Sequence, residues 1–135
     1  MDKKFDIERY VSITDGGFYA WDIVENLFWA DRRFAEIVGV DHAIIDKGLP
    51  AEGFLDLVHD DDRRALMEGM KTAIVDRKPF QMVYRILRGS KFVRISEYGQ
   101  CLRAVDGVPT LFTGIIFESG DGMSDRVAGN ENALS

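Results

Sequence analysis

The sequence predicts an α+β fold in which short helices cover one face of an antiparallel sheet. Three observations support this prediction. Segments rich in aromatic and β-favouring residues come first and last along the chain, and segments with helical spacing lie between them. Asp106-Gly107 is a hairpin signal between the last two strand segments. The 135 residues, 46% of them hydrophobic, are enough to form one compact domain with a core.

The N-terminal part contains one predicted helix and two predicted strands. Apolar residues at helical spacing predict a helix from about Asp2 to Ile13. The glycine-rich turn from Asp15 to Gly17 ends it. Aromatic and β-branched residues then predict a strand from Phe18 to Ile23 and a second strand from Leu27 to Ala30. We expect these two strands to form a hairpin.

Helical segments fill the middle of the chain. Asp31 is a suitable N-cap for a helix that Gly39 ends. The stretch from Asp41 to Gly53 is predicted to be irregular, and a short helical turn is predicted from Phe54 to Val58. The clearest helix runs from about Asp60 to Arg77. It begins with three aspartates, whose carboxylates stabilise the exposed N–H groups and the positive end of the helix dipole.

Strands form the rest of the domain after Pro79. They are predicted from Phe80 to Leu87, from Phe92 to Tyr98 with a continuation to Leu102 or Arg103, and from Thr110 to Phe117. Residues 119–135 are rich in Gly, Ser, Asn and Asp and contain no aromatic residue, which predicts a disordered tail. The sequence therefore divides into an N-terminal flanking helix in residues 1–15, a folded domain in residues 16–118 and the tail.

Composition argues against several classes of partner. The net charge is −6 and the chain has no cluster of Lys and Arg, so we expect no nucleic-acid partner. No window approaches the roughly 18 apolar residues of a membrane-spanning helix, so we expect no membrane partner. A single cysteine, Cys101, excludes an internal disulfide and suits a reducing compartment. These features predict a cytoplasmic protein.

The order of elements and several short motifs resemble the PAS family over residues 16–118. The motifs are Gly17-Phe18-x-x-Trp21-Asp22, Phe34-x-x-x-x-Gly39, Val58-His59-x-Asp61-Asp62-Arg63, Tyr84-Arg85-Ile86 and Gly114. The resemblance is to the subgroup with Trp-Asp in its first strand, although Asp60 replaces the proline that usually follows the histidine. It implies a five-stranded antiparallel sheet in the order 2-1-5-4-3, with a cleft between the sheet and the helices. It also implies a sensory or dimerisation role.

The residues argue against the cofactors that some members of this family bind. Haem-binding members place a histidine on the long helix, and residues 60–77 contain none. Light-sensing flavin members carry an Asn-Cys-Arg motif, which is absent; Cys101 lies in a predicted strand and is interpreted as a small apolar residue. His59 lacks neighbours at metal-ligand spacing and is interpreted as a local hydrogen-bonding group. No catalytic nucleophile with an adjacent base is found, so no catalytic site is predicted.

The cleft that the resemblance implies has candidate lining residues from the helices and from the inward positions of the sheet. They are Gly53, Phe54, Leu57, Val58, Leu66, Met70 and Ile74, with Arg85, Arg94, Gln100 and Tyr98 as candidate polar anchors. Methionines adapt their shape to a ligand or fill the gap themselves. The sequence therefore leaves two alternatives: a cleft that holds a small, mostly apolar ligand, and a filled core.

Apolar residues on both sheet faces point to association. In the first strand, Tyr19, Trp21 and Ile23 alternate with Phe18 and Ala20. The predicted helices cover only one face, so the other face needs a second layer. We expect a homodimer in which the outer sheet face packs near the N-terminal helix, and a signalling protein as a further partner. The sequence thus predicts a sensory domain, with a ligand-free interaction module as the alternative and a small enzyme as a minor third hypothesis.

Overall fold

The computed structural model describes residues 15–119. Its elements are β1 (Gly17–Asp22), β2 (Leu27–Ala30), α1 (Arg32–Val38), α2 (His42–Asp46), α3 (Ala51–Leu55), α4 (Asp60–Asp76), β3 (Phe80–Arg88), β4 (Lys91–Val105) and β5 (Val108–Glu118). The predicted helix from Asp2 to Ile13 lies outside the described residues, as does the predicted tail beyond Ser119. The backbone amide of Ser119 donates a hydrogen bond to the Arg94 carbonyl at 2.9 Å, which extends the pairing of the last strand.

The five strands form one antiparallel sheet in the order β2-β1-β5-β4-β3. This confirms the predicted fold class and strand order. The hairpin between β4 and β5 turns at Asp106 and Gly107, whose φ angles are 52° and 81°. Two consecutive positive φ angles are typical of the tight turns that match the twist of antiparallel strands, and Asp-Gly is a favoured pair there.

The helix caps agree with the predictions made from the sequence, whereas one region differs from them. The Asp31 carboxylate accepts a hydrogen bond from the Phe34 amide at 2.8 Å, and Gly39 ends α1 with a φ of 77°. The stretch from Asp41 to Gly53 was expected to be irregular, which is wrong. Asp41 caps the short helix α2, and α3 begins at Ala51, earlier than the predicted turn. The cause is local capping: Asp41 accepts from the Ala43 amide at 3.0 Å.

The core lies between the helices and one face of the sheet, called here the inner face. Side chains on this face alternate along each strand with those of the opposite, outer face. The buried core residues are Tyr19, Phe28, Phe34, Ala35, Ile37, Val38, Ile45, Val58, Leu66, Ala73, Phe80, Tyr84, Ile86, Ile95, Phe112 and Ile116. One charged residue, Glu97, is buried among them.

The segment between α3 and α4 protects the free edge of β3. The Leu87 amide donates to the Leu57 carbonyl at 2.7 Å, and the His59 amide donates to the Arg85 carbonyl at 2.9 Å. The edge groups of β3 at Arg85 and Leu87 are thus paired within the chain, and they are not available to a foreign strand. The same segment fixes the start of α4 against the sheet.

Candidate ligand-binding cavity

A cavity of about 420 Å³ lies between the inner face of the sheet and helices α3 and α4. This volume falls within the range of small-molecule sites, about 300–1,000 Å³. Its walls come from β1 and β2 on one side and from the apolar stripe of α4 on the other. The lining residues are Tyr19, Trp21, Ile23, Asn26, Phe28, Phe34, Ala51, Glu52, Phe54, Leu55, Leu66, Met67, Met70, Lys71, Ile74, Val75 and Glu97. Most of this lining is aromatic or aliphatic.

Glu97 is the buried polar group of this cavity. It projects from the inner face of β4 and is 3% exposed. The Tyr84 hydroxyl donates a hydrogen bond to Glu97 Oε1 at 2.6 Å, and the Tyr19 hydroxyl donates to Glu97 Oε2. Three strands, β1, β3 and β4, therefore hold the carboxylate in place. Because both oxygens have a partner, the position of the carboxylate is fixed within the fold.

Burial dominates the electrostatics of this triad. It raises the pKa of Glu97 above its ordinary value of 4.5, and the hydrogen bonds from Tyr19 and Tyr84 offset part of the rise. Burial and the neighbouring carboxylate also raise the pKa of both tyrosines well above the ordinary value of 10.0. The tyrosines therefore remain protonated donors at neutral pH, and Glu97 is the group of the triad that titrates first.

Asn26 organises the rim of the cavity. Its side-chain oxygen accepts from Trp21 Nε1 at 3.0 Å and from the Ala51 amide at 3.2 Å, and its Nδ2 donates to Glu52 at 3.0 Å. These bonds connect the turn after β1 to the first turn of α3. Across the rim, the exposed side chain of Met67 belongs to α4. The rim is thus formed from two short elements and the middle of the long helix.

A second cavity, of about 210 Å³, lies next to the first, between α1, α2 and α3. Phe28, Phe34 and Phe54 line both cavities and form the wall between them. The rings of Phe28 and Phe54 stack with centroids 5.9 Å apart, and Phe54 meets Tyr84 edge-on at 6.2 Å. The aromatic wall therefore contacts Tyr84, one of the two hydrogen-bond donors to Glu97.

The structure brings together four of the predicted lining residues. Phe54 lies in α3, and Leu66, Met70 and Ile74 lie on one stripe of α4; all four line the larger cavity. Gly53 and Leu57 line the second cavity instead. Val58 is 2% exposed and pairs with Ile86 in an isolated bridge at the sheet edge, so it packs in the core beside neither cavity.

The predicted polar anchors do not line either cavity. Arg85 alternates with the buried residues of β3, and its guanidinium binds Asp62 Oδ1 at 2.8 Å and Oδ2 at 2.9 Å. Tyr98 is 40% exposed and meets Phe117 edge-on at 6.2 Å. Arg94 and Gln100 share the outward alternation of Tyr98 on β4. Strand alternation places all four residues on the outer face, one position out of phase with the residues that line the cavity.

Sequence reasoning missed Glu97, although a signal was present. Val93, Ile95 and Glu97 occupy alternate positions of β4, so a charged residue continues an apolar inner face. A carboxylate at such a position needs hydrogen-bond partners from inside the fold. The two tyrosines at inner positions of β1 and β3 meet this need. Both tyrosines are distant from Glu97 along the chain, so the sequence pattern did not indicate these hydrogen bonds.

The interpretations of His59 and Cys101 agree with their surroundings. His59 is the N-cap of α4, and its Nδ1 accepts from the Asp61 amide at 3.0 Å. Cys101 packs against the core from β4 and does not line the larger cavity. Within residues 15–119, no group of three or more His, Cys, Asp and Glu side chains is arranged to hold a metal ion. In the same range, no helix has the length and hydropathy needed to cross a membrane.

Comparison with known proteins supports the fold. The sequence profile described as the PAS fold matches residues 27–116. No curated protein matches the chain significantly. A sensory box histidine kinase/response regulator from Burkholderia thailandensis is similar in structure, with a TM-score of 0.73 and 21% identity over 96% of each chain. At such low sequence identity, the structural neighbours support the fold alone.

Two further neighbours have the same architecture. The N-terminal domain of a diguanylate cyclase with a PAS/PAC sensor from Marinobacter aquaeolei has a TM-score of 0.68 and 13% identity, over 76% of this chain and 94% of that one. A LOV protein from Rhodobacter sphaeroides has a TM-score of 0.65 and 19% identity, over 96% of this chain and 79% of that one.

Proposed function

Because the chain belongs to the PAS family, we propose that it is a sensory signalling domain that binds a small, mostly apolar molecule in the cavity beside Glu97. One observation supports the proposal above all: the cavity of about 420 Å³ has a mostly apolar lining and one fixed polar network. Ligand sites in proteins combine these two properties. The volume between α4 and the sheet supports a ligand site over a filled core.

The proposed ligand belongs to neither of the large cofactor classes considered above. Helix α4 carries no histidine to hold a haem iron, and Cys101 does not line the larger cavity, where a flavin-reactive thiol would be needed. We propose a non-catalytic role, since the buried titratable groups beside the cavity, Tyr19, Tyr84 and Glu97, form a hydrogen-bonded triad with no nucleophile–base pair. The single cysteine supports a cytoplasmic location.

Ligand binding is tested by thermal unfolding with a library of small apolar molecules and by native mass spectrometry. A molecule that binds only the folded state, at a concentration of roughly 100 times its Kd, adds about 2.7 kcal/mol to the free energy of unfolding. It therefore raises the melting temperature. Met70→Trp fills the cavity and should abolish the rise. Thr72→Trp is the matched control, since Thr72 is exposed on the same helix and away from the cavity. The absence of any stabilising or co-purifying molecule would contradict the proposal.

A second candidate function, as a ligand-free dimerisation module, is favoured by the outer sheet face. The side chains of Phe18, Tyr98, Phe92 and Leu87 are 50%, 40%, 50% and 41% exposed on this face. Phe18 is in register with Ile115, and Ile115 with Tyr98, which makes a continuous apolar row across three strands. We propose that a second copy of the chain covers this row. Such a dimer is compatible with a ligand in the cavity.

The N-terminal residues are proposed to lie near this interface. Gly16 stands directly before β1, and an added Cβ there would lie 2.6 Å from Ile115 and 2.8 Å from Phe117, both on the outer face. The chain therefore enters the sheet beside the apolar row. A signalling protein that contacts the same region would receive the effect of the ligand through β1, because β1 carries Tyr19 on its inner face.

A further inference from the structure

The larger cavity combines an aromatic wall with negative charge. Five aromatic side chains line it: Tyr19, Trp21, Phe28, Phe34 and Phe54. Two carboxylates also belong to the lining, Glu97 at its buried side and Glu52 at the rim, whereas Lys71 is the one positively charged lining residue among residues 15–119. Lys71 is exposed on α4, while Glu97 is 3% exposed. The ionisable group at the buried side of the cavity is therefore a carboxyl group, whose ionised form a cation stabilises.

Within residues 15–119, Glu97 has no positively charged side chain as a hydrogen-bond partner. Its two hydrogen bonds come from neutral tyrosine hydroxyls. A carboxylate offers about four lone-pair positions, so two acceptor positions remain. A buried carboxylate without a cationic partner carries a desolvation cost, which a positively charged ligand would reduce.

We propose that the cavity selects an organic amine, whose protonated nitrogen donates to Glu97 and whose apolar body packs among the aromatic rings. This inference rests on the proposed ligand-binding function and names its chemical class. Aromatic rings attract ammonium groups through their negative faces, and this attraction grows when the cation is removed from water. The charged nitrogen thus gains from the rings as well as from the carboxylate. An anion would meet Glu97 with like charge, and a neutral molecule would gain only from apolar contact.

The experiment compares three molecules that share one ring and a similar arm: 2-phenylethylamine, 2-phenylethanol and phenylacetate. Binding to the full chain is measured by calorimetry at neutral pH and constant salt. The amine is expected to bind at least about tenfold more tightly than the alcohol, since hydrogen bonds to charged groups contribute more than neutral ones. Phenylacetate is expected to bind most weakly. This series needs no variant, so it decides the question even if a substitution at Glu97 prevents folding.

Two variants locate the effect. Glu97→Gln keeps the shape of the side chain and removes its charge, and should reduce the advantage of the amine over the alcohol to within about twofold. Glu68→Gln removes an exposed carboxylate of α4 that does not line the cavity and should leave the ratio within about twofold of the unmodified protein, because exposed charges are screened. A Glu97→Gln protein that keeps the full preference for the amine would overturn the inference.

The outcomes separate this inference from the function on which it rests. If 2-phenylethanol binds as tightly as the amine, or phenylacetate binds best, the cavity is a ligand site but the assignment to amines is wrong. If none of the three molecules binds and the apolar library also gives no stabilisation, both the inference and the proposed function fail. Tighter binding of the amine that depends on Glu97 supports both.

Discussion

Glu97 occupies a position that the alternation of β4 would normally give to an apolar side chain. Ile95 before it is fully buried, and Glu97 itself lies between the hydroxyls of Tyr19 and Tyr84. An unpaired carboxylate at this position would destabilise the fold, and the tyrosines offset part of that cost.

The first prediction follows from the pKa of Glu97. Because burial raises this pKa in the folded state, the folded protein holds the proton more tightly than the unfolded chain does. The stability of the unmodified protein relative to Glu97→Gln should therefore fall as the pH rises from about 4.5 through the folded pKa. The slope is at most about 1.4 kcal/mol per pH unit for one proton. Urea unfolding of both proteins between pH 4.5 and 8 measures it.

Other carboxylates do not interfere with this comparison. Asp62 and Glu118 have lowered pKa values because of hydrogen bonds from Arg85 and Arg88, so they favour folding at higher pH. Both proteins contain them, and their contribution cancels in the difference. Two parallel stability curves would show that Glu97 has the same proton affinity in the folded and unfolded states, contrary to the prediction.

At the scale of elements, the ion pair of Asp62 with Arg85 joins the start of α4 to β3. Asp62 accepts from the backbone amide of Arg85 at 2.9 Å as well as from its guanidinium. The three aspartates at the start of α4 therefore differ in role: Asp60 pairs with Arg63 within the helix, and Asp62 binds the sheet edge. The sequence identified their common position in the first turn, and only the packing distinguished them.

The second prediction concerns this junction. Asp62→Ala leaves the edge amide of β3 and the Arg85 guanidinium without their partner, and should lower the free energy of unfolding by about 1–2 kcal/mol. The lower part of this range allows for the partial exposure of Arg85, whose side chain is 36% exposed. Chemical denaturation at pH 7 measures the loss. Asp61→Ala, in the same helical turn but exposed, should change it by less than about 0.5 kcal/mol; equal losses would refute a specific role of Asp62.

At the scale of the whole molecule, the two faces of the sheet have different surroundings. The helices cover the inner face and enclose the cavity, whereas the outer face presents Phe18, Tyr98 and their neighbours to solvent. Contiguous apolar surface on a protein commonly marks an interaction site. The two faces share the same strands, so a change at Tyr19 on the inner side lies one residue away from Phe18 on the outer side.

The third prediction is that this outer face holds a homodimer. Light scattering and sedimentation at high micromolar concentration should show a dimer, and Phe18→Glu should shift it towards monomer, because the charge would be buried in the interface. Val24→Glu is the control, since Val24 is 65% exposed in the turn between β1 and β2, outside the apolar row. Deletion of residues 1–15 should weaken the dimer as well. A monomer with and without these residues would exclude this assembly.

The sequence by itself determined the features that depend on near neighbours. Asp31 and Gly39 delimit α1, Asp106-Gly107 turns the last hairpin, and the periodicity of residues 60–76 predicts α4. Each depends on a cap, a turn or a repeat within a few residues, so local chemistry is sufficient. The strand order was anticipated only through the resemblance to a known family. Short helices such as α2 were missed because five residues give too little periodicity.

Only the tertiary structure decided which residues form the cavity. Phe54 of α3 and three residues of α4 line the larger cavity, because one apolar stripe of a helix has to face the sheet. Tyr98 is one position out of phase with Glu97 on β4 and therefore lies on the other face. Glu97 meets Tyr84 across 13 residues of sequence and Tyr19 across 78. A buried carboxylate is tolerable only with such partners, and the pairing of strands distant in sequence is what brings them to it.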